Sequence, residues 1–359
     1  MLAILAILSY PVSGAGLARA GASENREKPF SFVIIGCDRV LKGDKSPDNP
    51  STANLAQLQR TFTEIAALQP PPNFVFFTGD LVLGLTADLT ELRTQLESWV
   101  DVYRNSDLGR SPTIRLIALP GNHESLVGDK GSQVSNPGAE EVWLSVMRPF
   151  IAGDNGPPAG GPDHLATDQS RLSYSFDYRR THFVILNTDP FGAIATVPLF
   201  WLADDLDNAN RNSPPKHIFV LGHKQAFTPS FASSEQALEA NPDLRNAFWD
   251  ELNANGVGYY MVAHAHVWDF IRPVSPDDPQ ANHTVEIVAG NGGTKLDAKW
   301  AESGADPYFG FTRVQVMRHG RVIVTSYGRD FPADNYLAPS PPELFPTTIR
   351  RLLEFRRGQ

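Results

Sequence analysis

At 359 residues, with 42% hydrophobic and 20% charged side chains, the chain has the composition of a folded globular protein, which excludes wholesale disorder and leaves room for one large α/β domain or two small ones. A formal net charge of -9 argues against nucleic-acid binding through a basic surface, but not against a phosphorylated substrate, because bound metal ions invert the local charge. No apolar run reaches the length of a membrane-spanning helix, and the single cysteine, Cys37, rules out a disulfide within the chain.

Residues 1–20 contain a short apolar run, a Pro/Gly break and Ala18-Arg19-Ala20 ahead of Gly21, the pattern of a signal peptide with a small-residue cleavage site. The basic residues that usually precede such a run are missing; the expectation is an exported protein, periplasmic or secreted. Phe32–Gly36 then reads as a buried strand that delivers Asp38 just past its end. In STANLAQLQRTFTEIAALQ, residues Leu55, Leu58, Phe62, Ile65 and Leu68 recur at helical spacing, and Pro70–Pro72 stop the helix. NFVFFTGD is a second buried strand, and DLTELRTQLESWVDVY a second helix, with Leu89, Leu92, Leu96, Trp99 and Tyr103 on one face. IRLIALPGNHE is a third strand with its loop.

Residues 152–163 are Gly/Pro-rich and aperiodic; this stretch, with Asp163 and His164, reads as an exposed loop rather than a lid. A hairpin (LSYSFDYRRTHFVILNTD), a helix (PLFWLADDLDNA), a strand (HIFVLGHK), a helix capped near Gly256 and a strand (GYYMVAHAH) follow. The stretch from His283 to Gly328 is strand-rich. Asn282-His283-Thr284 fits a glycosylation acceptor, a pattern short enough to arise by accident. Alternating strands and helices imply βαβ units and a largely parallel sheet. The expected organisation is a single domain over residues 30–330, followed by a Pro-rich tail over 331–359 that ends in a short basic helix, TTIRRLLEFRRGQ.

Metal-competent residues sit where successive strands end. They are Asp38, Gly79-Asp80, Gly121-Asn122-His123-Glu124, Gly222-His223 and Ala263-His264-Ala265-His266. Each alone is weak, since a GD pair is usually a turn and a buried His usually a core residue. Together, each just after an apolar strand, they mark the carboxyl ends of strands, where ligands gather in open α/β sheets. Alternation puts His264 and His266 on one side of their strand, and turns Cys37 away from Asp38, so that its thiol reads as packing.

In this order the residues resemble the calcineurin-like metallophosphoesterase family, whose pattern is D-x-H, G-D, G-N-H-[ED], a lone His and G-H-x-H. The resemblance runs from about Phe32 to Gly328. It implies a four-layer α/β/β/α sandwich and hydrolysis of a phosphomonoester or phosphodiester by a metal-activated water. It also implies two transition-metal ions, for which oxygen and imidazole donors suit Mn, Fe or Zn. Carried over residue by residue, Asp80 bridges the ions, Asn122, His223 and His264 complete one site, and Asp38 and His266 serve the other. His123 sits beside the leaving oxygen without binding metal, and Glu124 supports the site. Arg39 is the expected substrate-phosphate contact; Lys295 reads equally as a phosphate contact or a solvated surface residue, and Asn291-Gly292-Gly293 as a turn rather than a backbone cradle for phosphate.

The pattern fails at two places. Ala263 replaces a glycine and spares the ligands. Val40, however, stands where the family has a His on the first metal, and Leu83 stands where the related purple acid phosphatases place a compensating Tyr. Three outcomes remain open: water or a loop carboxylate such as Asp44 fills the gap, the first metal binds weakly, or Arg39 supplies the missing positive charge. The alternative to an active enzyme is a catalytically weak or inactive member that binds a phosphorylated ligand or partner.

Overall fold

Three parallel neighbours, β1 (Phe30–Ile35), β2 (Phe74–Thr78) and β3 (Arg115–Leu119), are apolar on both faces, and their side chains divide by parity. Phe32, Ile34, Phe74, Phe76, Ile117 and Leu119 enter one core; Val33, Ile35, Val75, Phe77, Leu116 and Ala118 enter the other. Strands of this kind need cover on both sides. The computed structural model describes residues 28–129, 131–212, 214–232, 237–273, 283–303, 306–332 and 334–356. The signal segment at 1–20 and Asn282 of the acceptor triplet lie outside the described residues.

One face of this sheet is covered by α1 (Leu55–Ala66) and α2 (Leu89–Asn105). Each starts at a polar cap: the Asn54 side chain accepts from the Gln57 N–H, and the Asp88 carboxylate from Thr90 and Glu91. Beyond β3 come the one-turn helix α3 (Asn122–Ser125), a small hairpin of β4 (Leu126–Val127) and β5 (Val134–Ser135), and α4 (Ala139–Met147), which joins the same helical layer.

The second half builds a second sheet. In chain order its elements are β6 (Tyr174–Tyr178), β7 (Thr181–Ile185), α5 (Leu199–Asn212), β8 (His217–Leu221), α6 (Pro242–Ala254), β9 (Tyr259–Val262), β10 (Trp268–Ile271) and β11 (Val285–Ala289). The sheet has six strands in the order β10-β11-β9-β8-β7-β6, parallel in the middle with antiparallel edges. After the short α7 (Ala298–Glu302) the chain returns to the first sheet as β12 (Phe309–Val316) and β13 (Arg321–Arg329). The sheets pack face to face through aromatic rings, with Phe32 edge-on to Phe183 and Phe219 at centroid distances of 5.4 and 5.0 Å. Leu202 and Leu206 of α5 and Phe248, Trp249 and Leu252 of α6 cover the outer face of the second sheet. The result is the expected four-layer α/β/β/α sandwich.

The tail differs from expectation. Thr348–Arg356 is not a basic helix but a strand, β14, which pairs antiparallel with β13 and gives the first sheet the order β14-β13-β12-β1-β2-β3. From Leu352 onward its period is 2, with Leu353 and Phe355 packed on the core and Leu352 exposed; Ile349, on the other side of a register shift, is exposed as well. An exposed sheet edge offers unpaired backbone groups, and pairing with them outweighs the weak helical preference of a short segment. No helix among the described residues is long and apolar enough to cross a membrane.

Candidate metal centre

Four donor atoms converge where the carboxyl ends of the two sheets meet. Asp80 follows β2, Asn122 opens α3, His223 follows β8 and His264 follows β9. His223 Nε2 lies 3.1 Å from Asp80 Oδ1 and 3.0 Å from Asn122 Oδ1. His264 Nδ1 lies 3.0 Å from the same Asn122 oxygen and 3.2 Å from His223 Nε2. Metal–ligand bonds of about 2.0–2.1 Å at tetrahedral or octahedral angles set donors about 3.0–3.4 Å apart. Asn122, His223 and His264 therefore have the mutual spacing of ligands on one transition-metal ion, with Asp80 Oδ1 beside His223.

The surroundings fix His223, Asn122 and Asp80. The His223 ring uses Nδ1 on the Thr78 carbonyl at 2.7 Å, which leaves Nε2 for the site. The Asn122 amide nitrogen donates to Gln133 Oε1, turning its oxygen inward. Glu124 accepts the N–H groups of Asp80, Val82 and Gly121, tying the β2 loop to α3. Burial and the neighbouring Asp80 push Glu124 up to about 7. Close approach requires glycine here: a Cβ on Gly121 would lie 2.4 Å from Asp80 Oδ1, and one on Gly79, whose φ is +89°, would lie 2.5 Å from His223 Nδ1.

Burial alone would raise the Asp80 carboxyl, but His223, His123 and, to a smaller extent, the Arg39 guanidinium outweigh it and hold it well below the usual carboxylate range. His223 shifts the other way: burial opposes its charge, and Asp80 raises it. The His123 ring contacts the Leu83 carbonyl through Nδ1 and presents Nε2 at 4.0 Å from Asp80 Oδ2. Burial and Arg39 lower it to about 3. His266 holds the Lys295 carbonyl through Nδ1 and is lowered to about 4 by the same two causes.

The first-metal half departs from the sequence reading. The Asp38 carboxylate is fully buried without a hydrogen-bond partner among the described residues, and a Cβ on Gly293 would come within 2.2 Å of it. Burial raises it, and the one charge that opposes the rise is Arg329, on β13. Cys37 takes the inward place instead: its thiol, the Asp80 carboxylate and the His223 ring lie within 4.8 Å of one another. The chain leaves β1 at Ile35 and Cys37 has φ +57°, so strand parity does not carry through the loop. Cys37 and Asp38 do face apart, but the thiol is the one at the site. Arg39 also points inward, with Nε 3.6 Å from Asp80 Oδ2. Val40 is buried and carries no donor.

The other candidates are placed elsewhere. Asp44 is exposed and accepts from the Tyr336 hydroxyl. Lys295 is exposed; its carbonyl, not its amine, serves the site. Asn291-Gly292-Gly293 braces the loop after β1 through bonds from Gly292 to Gly36 and from Gly293 to Cys37. Asp163 accepts the Phe200 and Trp201 N–H groups and so caps α5. His264 and His266 do not ride on a strand, because β9 stops at Val262 and His264 has φ +56°.

The calcineurin-like phosphoesterase model matches residues 51–268, more than half of the chain. The chain belongs to the calcineurin-like phosphoesterase family. Among solved structures, the purple acid phosphatase PPD1 from yellow lupin (Lupinus luteus) seeds superposes with a TM-score of 0.58 at 17% identity, over 84% of this phosphoesterase chain and 52% of the lupin chain. This chain thus spans about half the length of the lupin protein. PhoD superposes with a TM-score of 0.61 at 12% identity, over 92% of this chain and 70% of the other. At these identities the likeness is one of fold. No curated protein matches at the level of sequence.

Proposed function

We propose that this phosphoesterase is metal-dependent and hydrolyses a phosphomonoester or phosphodiester at the centre formed by Asp80, Asn122, His223 and His264. The observation that carries the reading is the convergence of Asn122, His223 and His264 at 3.0–3.2 Å from one another, with Asp80 Oδ1 3.1 Å from His223. Three nitrogen or amide donors with one carboxylate suit Mn, Fe or Zn. When bound, such an ion supplies Lewis acidity and a water of lowered pKa. Arg39, a permanent cation with planar N–H donors, binds the substrate phosphate and holds it against the site. His123 faces the same space with Nε2. While its Nδ1 proton is on Leu83 that nitrogen is a lone pair, so the ring donates to a leaving oxygen only after gaining a proton, which an incoming phosphate anion favours. We read residues 1–20 as an export signal. N-terminal sequencing of the secreted or periplasmic product tests this: a chain beginning near Gly21 is expected, and one retaining Met1 refutes it.

A second reading, a weak or inactive member that binds a phosphorylated ligand, draws on one observation: Asp80 Oδ2 faces the Arg39 guanidinium at 3.6 Å, closer than the Cys37 thiol at 3.9 Å. The two readings separate on hydrolysis of p-nitrophenyl phosphate and its bis ester with Mn, Zn, Fe or Mg. The enzyme reading expects turnover that Asn122→Ala and His223→Ala abolish; turnover that survives both, or none with any metal, refutes it.

A further inference from the structure

We infer that this phosphoesterase holds one metal ion rather than two, and that the guanidinium of Arg39 stands in the place of the other. The inference rests on the proposed function and deepens it by assigning the charge arrangement that receives the phosphate.

Asp80 divides its two oxygens between two environments. Oδ1 faces His223 and the His123 N–H, on the side of the four converging donors. Oδ2 faces Arg39 Nε at 3.6 Å, Cys37 Sγ at 3.9 Å and His123 Nε2 at 4.0 Å. A bridging carboxylate offers its second oxygen to a second ion; here that oxygen meets a group that is already cationic and has no lone pair to give. Arg39 Nε is buried and has no hydrogen-bond partner among the described residues, and Asp80 is the ion-pair partner that it faces. Residues 37 and 39, two apart, face Asp80, whereas the Asp38 carboxylate lies against Gly293 and Val40 is buried and carries no donor. The first motif therefore reads Cys37-x-Arg39, with the positions of both first-metal ligands shifted by one from Asp38 and Val40.

The other donors do not rescue a second site. Leu83 is apolar, Asp44 is exposed and bound to Tyr336, and the Asp38 carboxylate lies against Gly293. What remains is the Cys37 thiol, 3.9 Å from Asp80 Oδ2, and the His266 ring, which feels the Asp80 charge, both beside a permanent cation that repels a second ion. The same guanidinium neutralises Asp80 Oδ2 and keeps unused N–H donors for a phosphate oxygen. One ion plus one arginine thus supplies the paired positive charge that two ions supply elsewhere.

The test is the stoichiometry of the full-length protein. Metal-free protein is loaded with Mn(II), freed of unbound metal by gel filtration, and measured by elemental analysis and electron paramagnetic resonance. One Mn per chain, with the hyperfine pattern of an isolated ion, is expected. Two per chain, or an exchange-coupled spectrum, overturns the inference and leaves the phosphoesterase reading standing; none overturns both. Two variants probe the assignment. Arg39→Gln keeps its one ion and binds orthovanadate at least tenfold more weakly; unchanged vanadate affinity contradicts the role given to Arg39. Cys37→Asp with Arg39→His gains a second Mn; a count that stays at one contradicts the assignment of positions 37 and 39.

Discussion

The chemistry of single positions at this site is set by how little space they have. Gly121 packs so closely that a Cβ would meet both Asp80 Oδ1 and His223 Cε1, at 2.4 and 2.9 Å. Gly121→Ala is expected to destabilise the fold by about 1–3 kcal/mol and to weaken metal binding on the order of 10–100-fold, as displaced supports of metal ligands do. Denaturant titration and metal affinity check the two effects together. His123 gives the complementary case, because it faces the site without belonging to the four donors. His123→Ala should lower kcat on the order of 10²–10⁴-fold with metal content unchanged; lost metal would make it a ligand. Most of these residues were legible in the sequence, since Asp80, Asn122, His123 and His223 each follow a strand whose end is evident. Positions 37 to 40 were not. Their facing depends on one left-handed residue, Cys37 at φ +57°, and a non-glycine residue gives no sign in the sequence that it adopts that conformation.

Elements obey the same logic where their edges meet. On β14, Leu353 packs against the core and Leu352 is 63% exposed. Leu353→Ala should therefore cost about 1–3 kcal/mol, below the full-burial range because the site is only partly covered, while Leu352→Ala stays within about 0.5 kcal/mol. Equal costs in urea denaturation would contradict the strand. The helix expected there from Arg350, Arg351, Leu352 and Leu353 fails because a nine-residue segment makes a marginal helix, while β13 presents an edge to pair with. His182 on β7 shows how an element is held by charge. It bonds Asp177 of β6 at 2.7 Å and Asp205 of α5 at 2.9 Å. Burial works against its protonation, but the two carboxylates prevail and push it up to about 9. A folded pKa above the unfolded value of about 6.5 stabilises fully below that pH, and the contribution is lost as pH rises through 9. The gap in melting temperature between wild type and His182→Gln should then be widest near pH 6 and close toward pH 10. A gap that grows with pH would reverse the sign.

At the scale of the molecule, the site exists because two sheets meet. Asp80 and Asn122 come from the first, His223 and His264 from the second, and none of the four is adjacent in sequence to another. The strand and helix rhythm makes the α/β class readable, and apolar runs such as Phe74–Phe77 announce strands covered on both faces. The packing of one sheet on the other is not readable that way; it rests on rings such as Phe32, Phe183 and Phe219, far apart in sequence. Family resemblance supplied that layer, and the fold agrees with it. What the fold changes is the first-metal half, where Cys37 and Arg39 stand in place of Asp38 and Val40. The central claim, that the four donors form a hydrolytic metal centre, is tested most directly by p-nitrophenyl phosphate and bis-p-nitrophenyl phosphate turnover, measured for wild type and His223→Ala after loading with each of Mn, Zn, Fe and Mg. The account predicts metal-dependent turnover of at least one ester, lost in His223→Ala together with the bound ion. Turnover that is indifferent to metal, or equal in the variant, would contradict it.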